Sequence, residues 1–104
     1  MRGDLYRLRP GKNAIGHEQR GTRYAVAIQS DMIGLSTIVV APTSTSAQPA
    51  IFRPQIEMDG TRTRILVDQM RAVDASRLGD FAGRLDPGES DELDQAVRLV
   101  LGLM

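Results

Sequence analysis

Residues 37–44 read Thr37-Ile38-Val39-Val40-Ala41-Pro42-Thr43-Ser44, and this stretch decides the fold. Its first five residues are β-branched or apolar, a composition that favours a pleated strand. We therefore predict a central strand of a β-sheet over residues 37–41, followed by polar residues where the strand leaves the sheet.

Shorter runs on both sides of this strand predict its neighbours. Alternating or β-branched patterns indicate further strands at residues 4–8, 24–28, 51–58, 64–68 and 81–85. Pro54 places its strand at an edge or a bulge, because proline cannot donate to the ladder. Asp59-Gly60 predicts a two-residue hairpin, since both residues tolerate positive φ. A long glycine-punctuated loop, residues 9–22, is typical of a functional or disordered segment.

The C-terminal part of the chain predicts a helix instead. Asp86-Pro87-Gly88-Glu89 has the spacing of a capping box, with proline at the first helical position. Apolar residues then recur at helical spacing, at Leu93, Val97, Val100, Leu101 and Met104. The sequence thus predicts a mainly β (α+β) fold of five to seven short, mostly antiparallel strands and a C-terminal helix, forming one domain over residues 1–104.

Composition excludes several classes of site. The 104 residues include no Cys, which rules out a disulfide scaffold, a thiolate metal site and a Cys nucleophile. The single histidine, His17, excludes a multi-His zinc site within one chain, so we expect no metal and no cofactor. There is no apolar run near the ~20 residues of a membrane helix and no signal peptide pattern, so we expect a cytoplasmic protein without a membrane partner.

The net charge of zero conceals an uneven distribution. Residues 1–23 carry six basic and two acidic side chains, whereas residues 65–104 carry four basic and eight acidic ones. Twelve of the 13 basic residues are arginine, whose planar fork suits phosphate oxygens. A basic N-terminal segment and an acidic C-terminal segment are consistent with one face of the protein that binds anions and an opposite face exposed to solvent.

Reactive side chains are densest in the segment Gly16-His17-Glu18-Gln19-Arg20-Gly21-Thr22-Arg23. If strands 24–28 and 37–41 pair as antiparallel neighbours, Arg23 and Thr43 face each other at one rim of the sheet. A guanidinium beside a hydroxyl, with His17 and Glu18 on a nearby loop, can hold a phosphodiester. Cleavage of RNA by its own 2′-hydroxyl needs only acid–base and electrostatic assistance, without a metal.

Four motifs, taken in order, resemble the MazF/PemK/Kid toxins: Arg2-Gly3-Asp4-Leu5-Tyr6, the segment 16–23, Val40-Ala41-Pro42-Thr43-Ser44 and Val67-Asp68-Gln69. The resemblance covers essentially the whole chain. It implies a small SH3-like barrel that forms a homodimer, and a sequence-specific, metal-independent endoribonuclease. Such an enzyme cuts single-stranded RNA to a 2′,3′-cyclic phosphate and a 5′-hydroxyl, and a MazE-type antitoxin holds it inactive.

The resemblance also implies roles for particular residues. Arg23 and Thr43 match the family's catalytic arginine and threonine, and His17 and Glu18 are the candidates for proton transfer. The candidate RNA-binding residues are Gln19, Arg20, Tyr24, Ser44, Asp68 and Gln69. Asp68 can alternatively pair with a neighbouring arginine. The chain departs from the family at Tyr24, where most members have proline, and at Leu66, where some have arginine.

Two alternative functions use the same fold. A CcdB-like gyrase poison acts through C-terminal residues that include a tryptophan, but this chain ends Leu101-Gly102-Leu103-Met104 and has no tryptophan. An RNA-binding regulator without catalysis would not need both Arg23 and Thr43. The sequence therefore favours the endoribonuclease.

Overall fold

The computed structural model describes residues 2–10 and 23–103, which contain seven strands, two 3-10 turns and one α-helix. The strands are β1 (Asp4–Leu8), β2 (Tyr24–Ala27), β3 (Thr37–Ser44), β4 (Gln55–Met58), β5 (Thr61–Ile65), β6 (Arg71–Asp74) and β7 (Leu78–Arg84). The 3-10 turns are Val67–Gln69 and Ala75–Arg77, and the helix α1 is Pro87–Leu101. The predicted mainly β fold with a C-terminal helix is confirmed.

β3 lies at the centre of the sheet. β2 pairs antiparallel along one side, with Ala25 opposite Pro42. On the other side β6 pairs with the first half of β3, and β5 pairs with its last two residues. A strand with neighbours on both sides has its backbone donors and acceptors paired, which suits the apolar run that starts at Thr37. The predicted central strand is confirmed, and it extends three residues further, to Ser44.

The sheet curls because its two edges are tied together. β1 pairs with both β2 and β7, so the path β7-β1-β2-β3-β6 has β7 and β6 at its ends. Only the 3-10 turn Ala75–Arg77 separates these two strands in the chain. So short a connection between opposite edges bends the sheet round on itself, and the result is a curled antiparallel half-barrel.

Alternate residues of the sheet belong to two apolar clusters, as the period of two in a strand requires. The first cluster joins the sheet to α1 and to the β4–β5 hairpin. Its largest fully buried residues are Val26, Ile65, Val67 and Leu93. The second contains sheet residues only: Leu8, Ala25, Ala27, Ile38, Val40 and Val73. Among the described residues, no helix residue contributes to this second cluster.

α1 begins with the predicted capping box. The Asp86 carboxylate accepts a hydrogen bond from the Glu89 amide at 2.7 Å, and the Glu89 carboxylate accepts one from the Asp86 amide at 2.9 Å. The helix ends before Gly102, whose φ of 69° is left-handed. Leu93 is fully buried, whereas Leu101 is 55% exposed. In the part of the chain that the structure describes, no helix is long and apolar enough to cross a membrane.

The Asp59-Gly60 hairpin is confirmed, with φ of 50° and 78° at its two central residues. β4 is the edge strand that Pro54 predicts, but it starts only at Gln55, because residues 51–53 form a turn. The proline therefore stands before the strand and interrupts no ladder.

The bounds of the predicted strand over residues 64–68 are also wrong. The predicted strand 64–68 is β5 only as far as Ile65, and Val67–Gln69 is a 3-10 turn. The turn is closed by backbone bonds from the Gln69 amide to the Leu66 carbonyl at 2.9 Å and from the Met70 amide to the Val67 carbonyl at 3.1 Å. β6 was not predicted, since its four residues carry no clear alternation.

Candidate active site

Four strands place one end each at the same side of the curled sheet. Because neighbouring strands are antiparallel, the end of β3 lies beside the start of β2, and that start lies beside the end of β1. The start of β7 lies at this side for the same reason, whereas β6 starts opposite Val40, three residues before Thr43. We call this side the Thr43 rim and define it by Arg9, Arg23, Thr43 and Arg77. Side chains distant in sequence are therefore neighbours here.

Thr43 is half-buried near the end of β3, and its hydroxyl is oriented by the neighbouring strand. The Oγ1 hydroxyl donates a hydrogen bond to the carbonyl oxygen of Tyr24 at 3.2 Å. Since the hydroxyl proton is engaged, the lone pairs of the Thr43 oxygen are what it presents to a ligand. In this orientation Thr43 can accept a hydrogen bond from a second hydroxyl group.

Arg23 directly precedes β2 and is exposed. Its carbonyl oxygen accepts a hydrogen bond from the Leu8 amide at 2.9 Å, which fixes the backbone at the rim. Within residues 2–10 and 23–103 its guanidinium has no hydrogen bond or ion pair, so all its donors are available. The antiparallel pairing of β2 with β3 is the one that the sequence analysis assumed. The register sets Tyr24 opposite Thr43, so that Arg23 is offset from Thr43 by one position instead of facing it.

The other candidates near the rim differ in how firmly they are held. Tyr24 is half-buried and contributes the carbonyl that orients Thr43. Ser44 is half-buried, and its hydroxyl accepts a hydrogen bond from the Ser46 amide at 3.1 Å, which closes the turn after β3. Gln69 is exposed at the end of its 3-10 turn, two residues before the start of β6.

Asp68 is engaged in an ion pair with Arg53. The Nε and Nη2 groups of Arg53 donate to the two carboxylate oxygens at 3.0 and 2.9 Å, a bidentate arrangement. The hydrogen bond from Arg53 holds the pKa of Asp68 below its usual range, although partial burial opposes this effect. Asp68 is thus ionised at neutral pH and has no proton to donate. This geometry matches the alternative interpretation of Asp68, pairing with an arginine.

Arg53 is the residue that the sequence analysis missed. Besides binding Asp68, its Nη1 group donates to the Gln48 carbonyl at 3.2 Å, and its own carbonyl accepts from Arg64 at 3.0 Å. These contacts tie the loop between β3 and β4 to the turn before β6. The ion pair joins residues 15 positions apart in different loops, and no motif in the sequence signals it.

The remaining predicted residues, His17, Glu18, Gln19 and Arg20, lie outside the described residues. Among those that are described, no group of three or more His, Cys, Asp or Glu side chains is placed to hold a metal ion. The rim therefore offers a free guanidinium, an oriented hydroxyl and exposed polar side chains. Together these groups can bind a phosphodiester and accept a hydrogen bond from a neighbouring sugar hydroxyl.

Comparisons with known proteins agree on one family. The family described as "PemK-like, MazF-like toxin of type II toxin-antitoxin system" matches residues 1–101. A Mycobacterium tuberculosis protein named as a toxin, Rv3098A, is 47% identical over 104 residues, covering 99% of this chain and 98% of the relative. Endoribonuclease EndoA of Bacillus subtilis is 33% identical over 113 residues, covering 99% and 95%.

Among solved structures, an endoribonuclease in complex with its cognate antitoxin, from a mycobacterial species, superposes with a TM-score of 0.77. It is 18% identical, and the match covers 100% of this chain and 96% of the other. At that identity the likeness concerns the fold alone.

Proposed function

The chain belongs to the PemK-like, MazF-like family of toxins from type II toxin–antitoxin systems, and from this premise we propose that it is an endoribonuclease toxin in which residues 1–104 form a single toxin domain. Its substrate is single-stranded RNA, cut at specific sequences without a metal ion. The observation that carries this proposal is the rim position of Arg23 beside the oriented hydroxyl of Thr43.

The proposed reaction is an internal transesterification. The 2′-oxygen attacks the adjacent phosphorus, the bond from phosphorus to the 5′-oxygen breaks, and a 2′,3′-cyclic phosphate forms. One proton leaves the 2′-hydroxyl and one reaches the departing 5′-oxygen, which becomes a 5′-hydroxyl. Negative charge builds up on the phosphoryl oxygens in between, so a fixed cation beside them lowers the barrier.

Arg23 supplies that cation. A guanidinium stays protonated in proteins and presents several donors in one plane, which suits two phosphoryl oxygens better than it suits proton transfer. Its donors have no partner among the described residues, so no contact with that part of the chain has to break before a phosphate binds.

Thr43 orients the nucleophile. Because the Thr43 hydroxyl donates its own proton to the Tyr24 carbonyl, its Oγ1 atom can accept a hydrogen bond from the 2′-hydroxyl. His17 and Glu18 are assigned the proton transfers, since an imidazole exchanges protons near neutral pH. Gln19, Arg20, Tyr24, Ser44 and Gln69 are assigned to RNA contacts. We withdraw Asp68 from direct RNA contact and assign it to holding Arg53.

The partners follow from the family. We propose a cognate MazE-type antitoxin as the inhibitor, in line with the antitoxin complex of the mycobacterial structure, and the cytoplasm as the place of action. We also propose a homodimer. Ile38, Val40 and Ala41 of β3 are buried within the chain, but Leu99, Leu101 and Leu103 are 52–56% exposed at and just after the end of α1, which leaves apolar surface for a second copy.

The test is cleavage of a long single-stranded RNA in EDTA. We expect the wild type to cut, and Arg23→Ala and Thr43→Ala to lose activity by about 100-fold or more, because each removes a group that acts on the reacting atoms. Thr37→Ala and Arg98→Ala are the matched controls. Thr37 stands at the opposite end of β3 and Arg98 is exposed on α1.

Each other result has a definite meaning. Cleavage by Arg23→Ala and Thr43→Ala at the wild-type rate would refute the site, and cleavage that requires added metal would refute the metal-independent reaction. RNA binding without cleavage would favour the regulator. Sequencing the 5′ ends of the fragments identifies the RNA sequence that the enzyme recognises.

A further inference from the structure

Two further arginines stand on the Thr43 rim beside the candidate site, and a third acts on them through its charge. Arg9 follows the last residue of β1, Arg77 precedes the first residue of β7, and Arg71 is the first residue of β6. Arg9 and Arg77 are hydrogen-bonded neighbours although 68 positions separate them, and the positive charge of Arg71 acts on Arg77. Two of them, Arg71 and Arg77, belong to the acidic C-terminal part of the sequence.

Arg9 and Arg77 fix each other in place. The Arg9 amide donates to the Arg77 carbonyl at 2.7 Å, and the Arg77 Nε group donates to the Arg9 carbonyl at 2.8 Å. Arg9 Nη1 in turn donates to the Ser76 carbonyl at 3.2 Å. Both guanidinium groups are therefore oriented by backbone oxygens, and each retains further donors that have no partner among the described residues.

The cluster carries positive charge that the described residues do not neutralise. The ion pairs within residues 2–10 and 23–103 are Arg2–Asp94, Arg53–Asp68 and Arg84–Asp4, and none includes Arg9, Arg71 or Arg77. The nearby Asp74 carboxylate accepts a hydrogen bond from the Ser76 amide at 2.9 Å and thereby caps the turn.

Like charges within this arginine cluster disfavour each other. Partial burial lowers the pKa of Arg77, and the positive charge of Arg71 lowers it further. Arg71 itself is exposed, and its side chain has no hydrogen bond within the described residues. A bound anion would relieve this repulsion, because it supplies the opposite charge that the protein leaves out.

The cluster continues the row that Arg23 begins. The Leu8 amide is bonded to the Arg23 carbonyl, and Arg9 is the next residue along β1. Neighbouring strands are about 4.8 Å apart, so Arg9 and Arg77 stand roughly one and two strand spacings from Arg23. A chain of phosphates that enters at Arg23 meets these guanidinium groups next.

We propose that Arg9, Arg71 and Arg77 form a binding site for phosphodiester groups of single-stranded RNA on one side of the bond that is cut. This site rests on the proposed function and extends it. It contributes affinity and fixes the direction of the RNA along the rim, but it reads no bases, since phosphates are the same at every position.

The test compares Arg71→Ala and Arg9→Ala with Arg98→Ala, which removes the same charge from α1. KM and kcat are measured for cleavage of a long single-stranded RNA over a range of salt concentrations. We expect KM to rise on the order of tenfold at low salt in Arg71→Ala and Arg9→Ala, with kcat unchanged. The slope of log KM against log salt should fall by about 0.7 for each lost contact.

Arg71 is the cleaner position, because its side chain makes no hydrogen bond or ion pair with the residues that the structure describes, whereas Arg9 also bonds the Ser76 carbonyl. Thermal unfolding of each variant checks that the fold is intact, and Arg9→Lys keeps the charge if Arg9→Ala does not fold. If the wild type cleaves and Arg71→Ala behaves like Arg98→Ala in KM and in salt slope, the site is refuted and the proposed function stands.

A binding measurement separates the remaining outcomes. If the wild type cuts no RNA, the proposed function fails, and anisotropy of a fluorescein-labelled single-stranded RNA then tests the site alone. Weaker binding by Arg71→Ala than by Arg98→Ala supports the site, and equal binding refutes it. If Arg71→Ala loses affinity only for polyglutamate and not for RNA, the cluster binds an acidic peptide and our inference is wrong.

Discussion

At the scale of single residues, Asp4 shows how the first strand is secured. Its side chain is only 6% exposed and accepts a hydrogen bond from Arg84 Nε at 2.7 Å, across the pairing of β1 with β7. The Tyr6 hydroxyl donates to its other carboxylate oxygen at 3.4 Å. The hydrogen bond from Arg84 is the main cause that lowers the pKa of Asp4, while burial opposes it.

This pair makes stability depend on acid. Since the folded pKa of Asp4 lies below the unfolded value of 3.8, the folded protein binds fewer protons, and the pair stabilises it at higher pH. That contribution is lost as the pH falls through the folded pKa. We expect Asp4→Asn to be less stable at neutral pH and to lose less stability on acidification, as measured by urea unfolding from neutral pH to about pH 3.

The exposed Asp91 provides the control, because Asp91→Asn removes a carboxylate without removing a buried contact. An Asp4→Asn variant that loses as much stability below pH 4 as the wild type would contradict the role given to the pair.

The residue scale is also where sequence reasoning reached its limit. The rim positions of Arg23 and Thr43 follow from the order and antiparallel pairing of two strands, so they could be predicted. The contacts of Arg53 with Asp68 and of Arg9 with Arg77 could not be predicted, because they depend on which loops meet after the sheet has curled.

At the scale of elements, the sequence predicts best those features whose contacts join residues only a few positions apart. The capping box at Asp86 and the hairpin at Gly60 are such features, since their contacts are short in sequence. The apolar run Ile65-Leu66-Val67 led to the wrong prediction of a strand as far as residue 68. All three residues are buried, and a short buried apolar run is typical of a strand. The backbone changes direction after Ile65 while Leu66 and Val67 stay buried. The apolar sequence therefore does not show where the strand ends.

Gly60 tests the hairpin as an element. Its φ of 78° is left-handed, so a β-carbon strains the backbone even though open space surrounds the position. We expect Gly60→Ala to destabilise the protein by about 1 kcal/mol in chemical denaturation. Gly34 is the matched control, because it also has open space and lacks a positive φ. Gly34→Ala should be neutral or stabilising by about 0.5 kcal/mol, and equal losses in both variants would argue against the turn.

At the scale of the whole molecule, the exposed leucines of α1 predict self-association. Light scattering at micromolar concentration should give twice the 11.4 kDa of one chain. Leu101→Ser should shift the mass toward the monomer, because it removes apolar surface at the end of the helix. Leu101→Met is the control, since it keeps an apolar side chain of similar size at the same exposed position. A monomer mass for the wild type would refute the homodimer.

The pairing of β1 with β7 affects when the protein can fold during its synthesis. The first strand leaves the ribosome long before residues 78–84, the strand that it must meet, have been translated. Until then Asp4 has no Arg84, and the edges of the sheet cannot be tied together. Strand pairing across so long a span is slow compared with local turns and helices. A chain that has not yet reached residue 84 therefore lacks the assembled rim, so the chemistry proposed for it becomes available only after β7 has been synthesised.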